Sequence, residues 1–350
     1  MRKAVVCFLV AGLLVGLLYA GSQAARSAQA QTSATPGKTF KWRLVTACVE
    51  GDIIYRVGDH YLANLIEKGS GGRIKVDLYP VGPIVSLEEQ VPAVVAGGVE
   101  AVRIIPGYAA GIAPATLTGE CAYGTRDGYE DWELHVAWGL DKLLREHYAK
   151  GGVYYLGAPY AAMICFFSNF PINAANDFKG KKVWVSPSLM FLKEFGLVPT
   201  EMPGFDPYMA MKLGTIQGFS YSSMNLEHMK LKEVTKYIMQ PSFFPASTHL
   251  IVNMKAWNAL GPDLQQQLQN YLDAHLFELI PMMQKLEDDA FVKAKEYGVQ
   301  FITLPPDELD KVLKPCRAGW DYVAGMHPDA AKIIELYRAW LKYNKAWEYK

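Results

Sequence analysis

The sequence lacks most of what marks a catalyst or a nucleic-acid partner. No GxSxG, HExxH, GxGxxG or phosphate-binding GxxxxGK[S/T] pattern occurs in its 350 residues, so no nucleophile elbow, zinc helix or nucleotide cradle is readable. A surplus of one charge is missing too: 35 Lys and Arg stand against 35 Asp and Glu. Without basic excess there is little electrostatic drive to displace counterions from a phosphate backbone, which argues against nucleic acid as a partner. Cysteine is sparse, five residues with no CxxC or Cys/His ligand spacing, leaving no metal framework and no cofactor motif. The seven histidines are scattered. His60, His135, His147 and His275 fall in helical stretches as surface or capping residues, and a Cys165 pair with His228 or His249 is the remote enzyme reading. Past the N-terminus, no apolar run is long enough to cross a bilayer.

What is present begins with a leader. Arg2 and Lys3 precede an apolar run from Ala4 to Ala20, and small residues follow, the pattern of a secretory signal. Ala28-Gln29-Ala30 fits cleavage at residue 30, with Ser22-Gln23-Ala24 as a competing site and an uncleaved anchor as the alternative. Export to a periplasm is the expectation. Loss of Arg2, Lys3 and Arg26 takes the 35 positive residues to 32 against 35 negative ones, a mildly acidic mature chain. Residues 31–39, rich in Ser, Thr, Gly and Pro, read as a flexible tether. Export permits disulfides, yet Cys48, Cys121, Cys165 and Cys316 allow three complete pairings, and buried free thiols are an equal alternative.

The rest alternates. Lys41 to Cys48 reads as a strand, Ile53 to Lys68 as a helix and Arg73 to Tyr79 as a second strand. A helix from Ser86 to Ala96, stopped by Gly97-Gly98, leads to a strand from Ala101 to Ile105. Further strands are expected at Val153 to Leu156, Met163 to Ser168, Val183 to Ser186 and His249 to Asn253. Further helices are expected at Trp132 to Tyr148, Leu189 to Phe195, Tyr208 to Leu213 and Pro262 to Tyr297, the last bent at Pro281, and from Pro328 to the end. Strand and helix in alternation imply mostly parallel sheets with helices on their faces. The length left after residue 30 exceeds what one core organises, so two lobes with a ligand cleft between them are expected.

Several segments, in order, resemble the solute-binding proteins of tripartite ATP-independent periplasmic (TRAP) transporters. Gly72-Arg73-Ile74-Lys75-Val76 with Tyr79-Pro80 resembles that family's second strand, and Ala96-Gly97-Gly98-Val99-Glu100-Ala101 a helix end. Ser168-Asn169-Phe170-Pro171-Ile172, Asp177-Phe178-Lys179-Gly180-Lys181-Lys182-Val183, Gly196-Leu197-Val198-Pro199, Leu213-Gly214-Thr215-Ile216-Gln217-Gly218-Phe219 and Lys232-Glu233-Val234-Thr235-Lys236-Tyr237 continue it. The resemblance implies a two-lobed α/β clamshell, non-enzymatic, that captures a small solute, commonly an organic or aromatic acid, and delivers it to TRAP membrane permease subunits. A sensory subunit serving a membrane receptor is the alternative. The implied division is residues 40–158 plus 222–260 for lobe I and 159–221 plus 298–327 for lobe II, with a linking helix at 262–297 and a C-terminal helix at 328–350. Trp320, Trp340, Tyr343 and Trp347 resemble the C-terminus of dimeric family members; packing onto their own lobe is the equal alternative.

The departures from the family lie at the site. Its carboxylate-binding arginine corresponds to Trp184, and a second arginine to Ile164. The Glu-Trp pair of metal-using members is replaced by Ser220-Tyr221, so no metal is expected. Arg103, flanked by Val102 and Ile104, is the candidate replacement cation, unless it pairs with a structural acid such as Glu100 or Asp77. Trp184 as a stacking wall, Tyr221 and Asn225 as orienting groups, Glu50 with Asp52 at the mouth, and Phe205 in a turn complete the candidates.

Overall fold

The computed structural model describes residues 37–116, 121–200 and 206–345. The expected leader, Phe205 and Trp347 lie outside the described residues. Eleven strands form two sheets among them. The first has β1 (Phe40–Thr46) between β2 (Ile74–Tyr79) and β3 (Ala101–Ile104), followed by β10 (His249–Asn253) and β4 (Val153–Gly157). The second runs β11 (Gln300–Thr303), β9 (Tyr237–Ser247), β5 (Tyr160–Ser168), β8 (Gly218–Ser222), β6 (Lys182–Trp184) and β7 (Val198–Pro199).

Both sheets are mixed. In the first, β10 runs antiparallel to β3 and β4; in the second, β5 runs antiparallel to β8 and β9. The remaining ladders are parallel. The expectation of mostly parallel sheets misses these two reversed strands because each is entered directly from the other sheet, with no crossover helix to restore its direction. β9 also lies in the second sheet, so the chain returns to the first at Thr248 and not at residue 222 as the sequence reading has it.

The sequence conceals β9 for a physical reason. Pro241 and Pro245 cannot donate to a ladder, which argues against an internal strand. The structure accommodates Pro241 in an irregularity: Ile164 faces Phe244 but Phe166 faces Met239, so residues 240–243 step out of register.

The helices are α1 (His60–Gly69), continuing a π-helical turn at Ile54–Asp59; α2 (Gln90–Ala96); α3 (Gly128–Val136); α4 (Leu140–Lys150); α5 (Pro207–Lys212); α6 (Asn225–His228); and α7 (Met254–Asn258). The expected helix over 132–148 is two, parted at Gly139, whose φ of +86° lies in the left-handed region that glycine enters without a Cβ penalty. Asp127 caps α3 by accepting from the Tyr129 and Glu130 amides at 2.9 Å.

The long helix over 262–297 is α8 (Pro262–His275) and α9 (Leu279–Tyr297), joined by a 3₁₀ turn at Leu276–Glu278. Pro281 explains the interruption, since its ring collides with the carbonyl four residues earlier, that of Phe277. The two ends serve different sheets, with Leu279, Ile280 and Met283 at the start of α9 still in the cluster of α8. Leu264, Leu268 and Leu272 of α8 pack with Trp42, Leu44 and α1, whereas Ala290 and Ala294 of α9 pack with Phe167 and Phe219 of the second sheet. Each buried leucine contributes about 1.5–3 kcal/mol. α10 (Pro306–Met326) and α11 (Pro328–Asn344) follow.

The C-terminal aromatics fold back. Trp340 is fully buried with its ring 5.4 Å from Trp138, Tyr343 lies 5.3 Å from Trp138, and Trp320 meets Tyr337 at 5.7 Å. Trp320, Trp340 and Tyr343 pack on their own chain. The four cysteines described are free thiols.

Candidate functional site

The chain passes between the sheets twice in adjacent places, from β4 to β5 through Ala158-Pro159 and from β9 to β10 through Thr248. The two crossings are tied together: the Thr248 amide donates to the Pro159 carbonyl at 3.2 Å and the Thr248 hydroxyl to the same oxygen at 3.1 Å.

Arg103 of β3 lies against this point. Its Nε donates to Thr248 Oγ1 at 2.5 Å, Nη2 to the Tyr160 carbonyl at 3.3 Å, and Nη1 to the Asp59 carboxylate. Arg103 is 1 % and Asp59 0 % exposed. The acid anticipated as a structural partner is therefore neither Glu100 nor Asp77, which pair with Arg43 at 2.8 Å and Lys41 at 2.8 Å. Asp59 is reached because the π-helical turn brings it under β3, 44 residues away in sequence. Burial raises the Asp59 pKa against the opposing pull of Arg103.

Glu287 of α9 was not anticipated. It accepts from Tyr160 Oη at 3.0 Å, Ser223 Oγ at 3.0 Å and the Met163 amide, joining the long helix to β5 and to the loop before α6. Burial pushes its carboxyl up to about 7. A signal was available: Met283, Glu287, Ala290 and Ala294 share one buried stripe of α9, and an acid on an apolar stripe needs a partner.

The seam between the lobes is a few residues away. Asp52, after β1, accepts from the Ile54 amide at 2.8 Å. Its Oδ2 lies 3.4 Å from Tyr221 Oη of β8 and 3.4 Å from Asn225 Nδ2 at the start of α6. Asp52 is 3 % and Asn225 0 % exposed, and burial raises the Asp52 pKa. Burial, with Asp59 and Asp52 nearby, likewise raises Cys48, which stays a thiol. The Asn225 Oδ1 has no hydrogen-bond partner among the described residues.

The remaining candidates divide. Trp184 aligns with Phe219 in the parallel β6–β8 ladder and packs, like Tyr221, on the cluster of Phe167 and Phe219. Ile164 faces Ser222 and packs on the cluster of Phe166 and Val183, so the two positions that correspond to arginines serve opposite sides of the sheet. Glu50 is exposed in the turn two residues before Asp52.

Other polar clusters are closed. His135 and His147 are buried rather than on the surface; His135 Nδ1 meets Asp141 at 2.7 Å. His147, His327 and Asp329 have ligand atoms within 4.8 Å of one another. His147 Nε2, however, accepts the Ala115 amide at 2.9 Å, which places the neutral ring's proton on Nδ1 toward Asp329 at 3.0 Å, and Lys150 approaches the same carboxylate at 2.6 Å. Both ring nitrogens and the acid are used. Cys165 contacts Ser242 at 3.2 Å with its thiol pushed up to about 12, and burial drives His249 down to about 3; neither is an activated pair. A separate apolar concavity of about 540 Å³ lies between Met190 and Phe191 and the α10 residues Trp320 and Met326, sharing no lining residue with the seam.

Sequence comparison decides the family. The model of bacterial extracellular solute-binding protein family 7 (DctP) matches residues 49–324. The chain belongs to that family. It is a TRAP-type solute-binding protein, a class of periplasmic, non-enzymatic transport proteins. No helix among the described residues of this family 7 protein is long and apolar enough to cross a membrane. A monocarboxylate 2-oxoacid-binding periplasmic protein of Nostoc is 21% identical over 315 residues, 88% of this chain and 85% of that protein. A TRAP solute-binding protein of Colwellia psychrerythraea, solved with calcium and pyruvate, is 18% identical with a TM-score of 0.78, covering 89% of this chain and 96% of that one. One of Chromohalobacter salexigens, solved with (S)-(+)-2-amino-1-propanol, is 24% identical with a TM-score of 0.74, covering 87% and 96%. These structural likenesses are of fold; the two-sheet architecture of this chain is the TRAP clamshell.

Proposed function

We propose that the mature chain captures one small organic solute at the Asp52–Tyr221–Asn225 seam and delivers it to the membrane permease of a TRAP-type transporter. Asp52 carries this reading, because it stands on the first lobe while its two 3.4 Å neighbours stand on the second. A solute lodged there touches both lobes only when they are closed, so its binding energy shifts the population toward the closed state. The crossings at Pro159 and Thr248 are where that movement is absorbed. Cleavage of the leader at residue 30 sets the protein free in the periplasm.

The acid expected from the family rests on Arg103 as its counter-ion. The pairing of Arg103 with Asp59 moves our reading from an acid toward a solute that brings its own donors. Tyr221 and Asn225 orient it, and Trp184, on the same face of β6 and β8 as Tyr221, walls the pocket.

Native mass spectrometry of the exported protein, before and after refolding from denaturant, tests solute capture. The expected result is a small bound mass that refolding removes, and whose return raises the melting temperature. Ligand at one hundred times its dissociation constant adds about 2.7 kcal/mol. An identical mass and melting temperature before and after refolding contradict the proposal.

A further inference from the structure

We propose that the solute this seam selects carries a cationic nitrogen, an ammonium or guanidinium group, held by the Asp52 carboxylate and the Asn225 side-chain carbonyl. The inference rests on the solute-capture reading above and names the ligand class for that same site.

The argument is one of donors and acceptors. Asp52 Oδ2 has two donor neighbours, both at 3.4 Å, long for a good hydrogen bond. Asn225 presents Nδ2 toward Asp52, and its Oδ1, fully buried, has no partner among the described residues. An orphaned buried carbonyl beside a carboxylate oxygen with only long contacts, Asp52 Oδ2, is an acceptor surplus, and a buried acceptor left unmade is costly. A group rich in N–H donors satisfies both atoms at once; a carboxylate brings only further acceptors and a repelling charge.

Charge balance points the same way. Arg103 is neutralised within its own lobe by Asp59, so it does not offset Asp52. Arg56, one turn beyond Asp52, is exposed to solvent and acts on His228 of α6, whose pKa burial lowers with help from Lys293 and Arg56. Its charge is therefore screened by water, whereas that of Asp52 is not. Aromatic faces complete the setting: Tyr221 is in contact range of Asp52, and Trp184 lies on the same side of the sheet. A carboxylate beside aromatic rings is the combination that holds organic cations.

The test uses refolded, solute-free mature protein and three matched series of probes: ethanolamine, putrescine and phenethylamine; glycolate, succinate and phenylacetate; and the corresponding diols and phenylethanol. Thermal shift selects binders and calorimetry measures them. The expected result is a rise with at least one amine and with no acid, a loss of about tenfold or more in amine affinity in Asp52→Asn, and unchanged binding in Arg56→Ala. Asn225→Leu, which removes the carbonyl and leaves Asp52 in place, weakens the same amine and guards against misfolding of the first variant. An acid or neutral binder overturns the cationic reading and leaves solute capture standing, as does amine binding that survives in both Asp52→Asn and Asn225→Leu. No shift with any probe, together with no bound mass in the exported protein, overturns both.

Discussion

Arg103 and Asp52 are both buried ionic residues of the first lobe, close enough to influence the same thiol at Cys48, yet their surroundings are opposite. Arg103 is held by Asp59, Thr248 and the Tyr160 carbonyl, at the place where the chain twice passes between sheets. Asp52 holds one short bond, to the Ile54 amide, and two long ones to the other lobe. On our proposal, the difference separates a charge kept for architecture from one kept for a solute. A buried cation matched by its counter-ion and two further acceptors has little left to offer a solute, while in the proposed closure a buried ion with slack contacts across the seam does.

The largest effect should come from breaking the paired side. Arg103→Ala leaves Asp59 buried without its counter-ion, and urea denaturation should show a loss of about 3–5 kcal/mol. Arg103→Met combined with Asp59→Leu should recover most of it. Loss of solute binding in the single variant with binding retained in the stable double variant assigns Arg103 to the frame; loss in both returns it to the ligand.

Glu287 sharpens the same side through pH. Its carboxyl is raised from 4.5 to about 7, so the fold binds this proton more tightly than the unfolded chain does. That contribution is fully present below about 4.5 and is lost as pH rises through about 7. The size is on the order of 3 kcal/mol. Glu287→Gln should flatten the stability profile between those values, and an unaltered slope removes Glu287 from the account.

On the slack side, Asp52→Asn should leave the unfolding midpoint of the free protein nearly unchanged, since burial already penalises the ionised form, while weakening solute by about 1.5–3 kcal/mol, the range for a hydrogen bond to a charged group. A large loss of stability in the free protein makes Asp52 a second frame residue and erases the contrast. The smallest effect belongs to Arg43→Ala. Its two bonds to Glu100 are short, 2.9 and 2.8 Å, but the arginine side chain is 42% exposed, and about 1 kcal/mol or less is expected.

The sequence carried the alternation and order of β1 to β4, because hydrophobic period and glycine stops act locally; it reads residues 262–297 as one helix bent at Pro281, where the structure has two helices parted by a 3₁₀ turn. It hid β9 behind Pro241 and Pro245, and α10 behind Pro315 and Gly319, since those residues signal breaks wherever tertiary packing does not override them. Around the site, the burial of Arg103 was legible from Val102 and Ile104. Its partner was not, because Asp59 is near only once the π-helical turn folds under the strand. Asp52 and Asn225 could each be named, but their meeting depends on how two lobes close, which no local pattern encodes.

Closure is therefore the most direct test. Small-angle scattering of the solute-free protein, repeated with a saturating solute whose binding calorimetry has confirmed, should show a smaller radius of gyration as the lobes come together across Asp52, Tyr221 and Asn225. Tight binding with an unchanged scattering profile would contradict a clamshell that captures its solute by closing this seam.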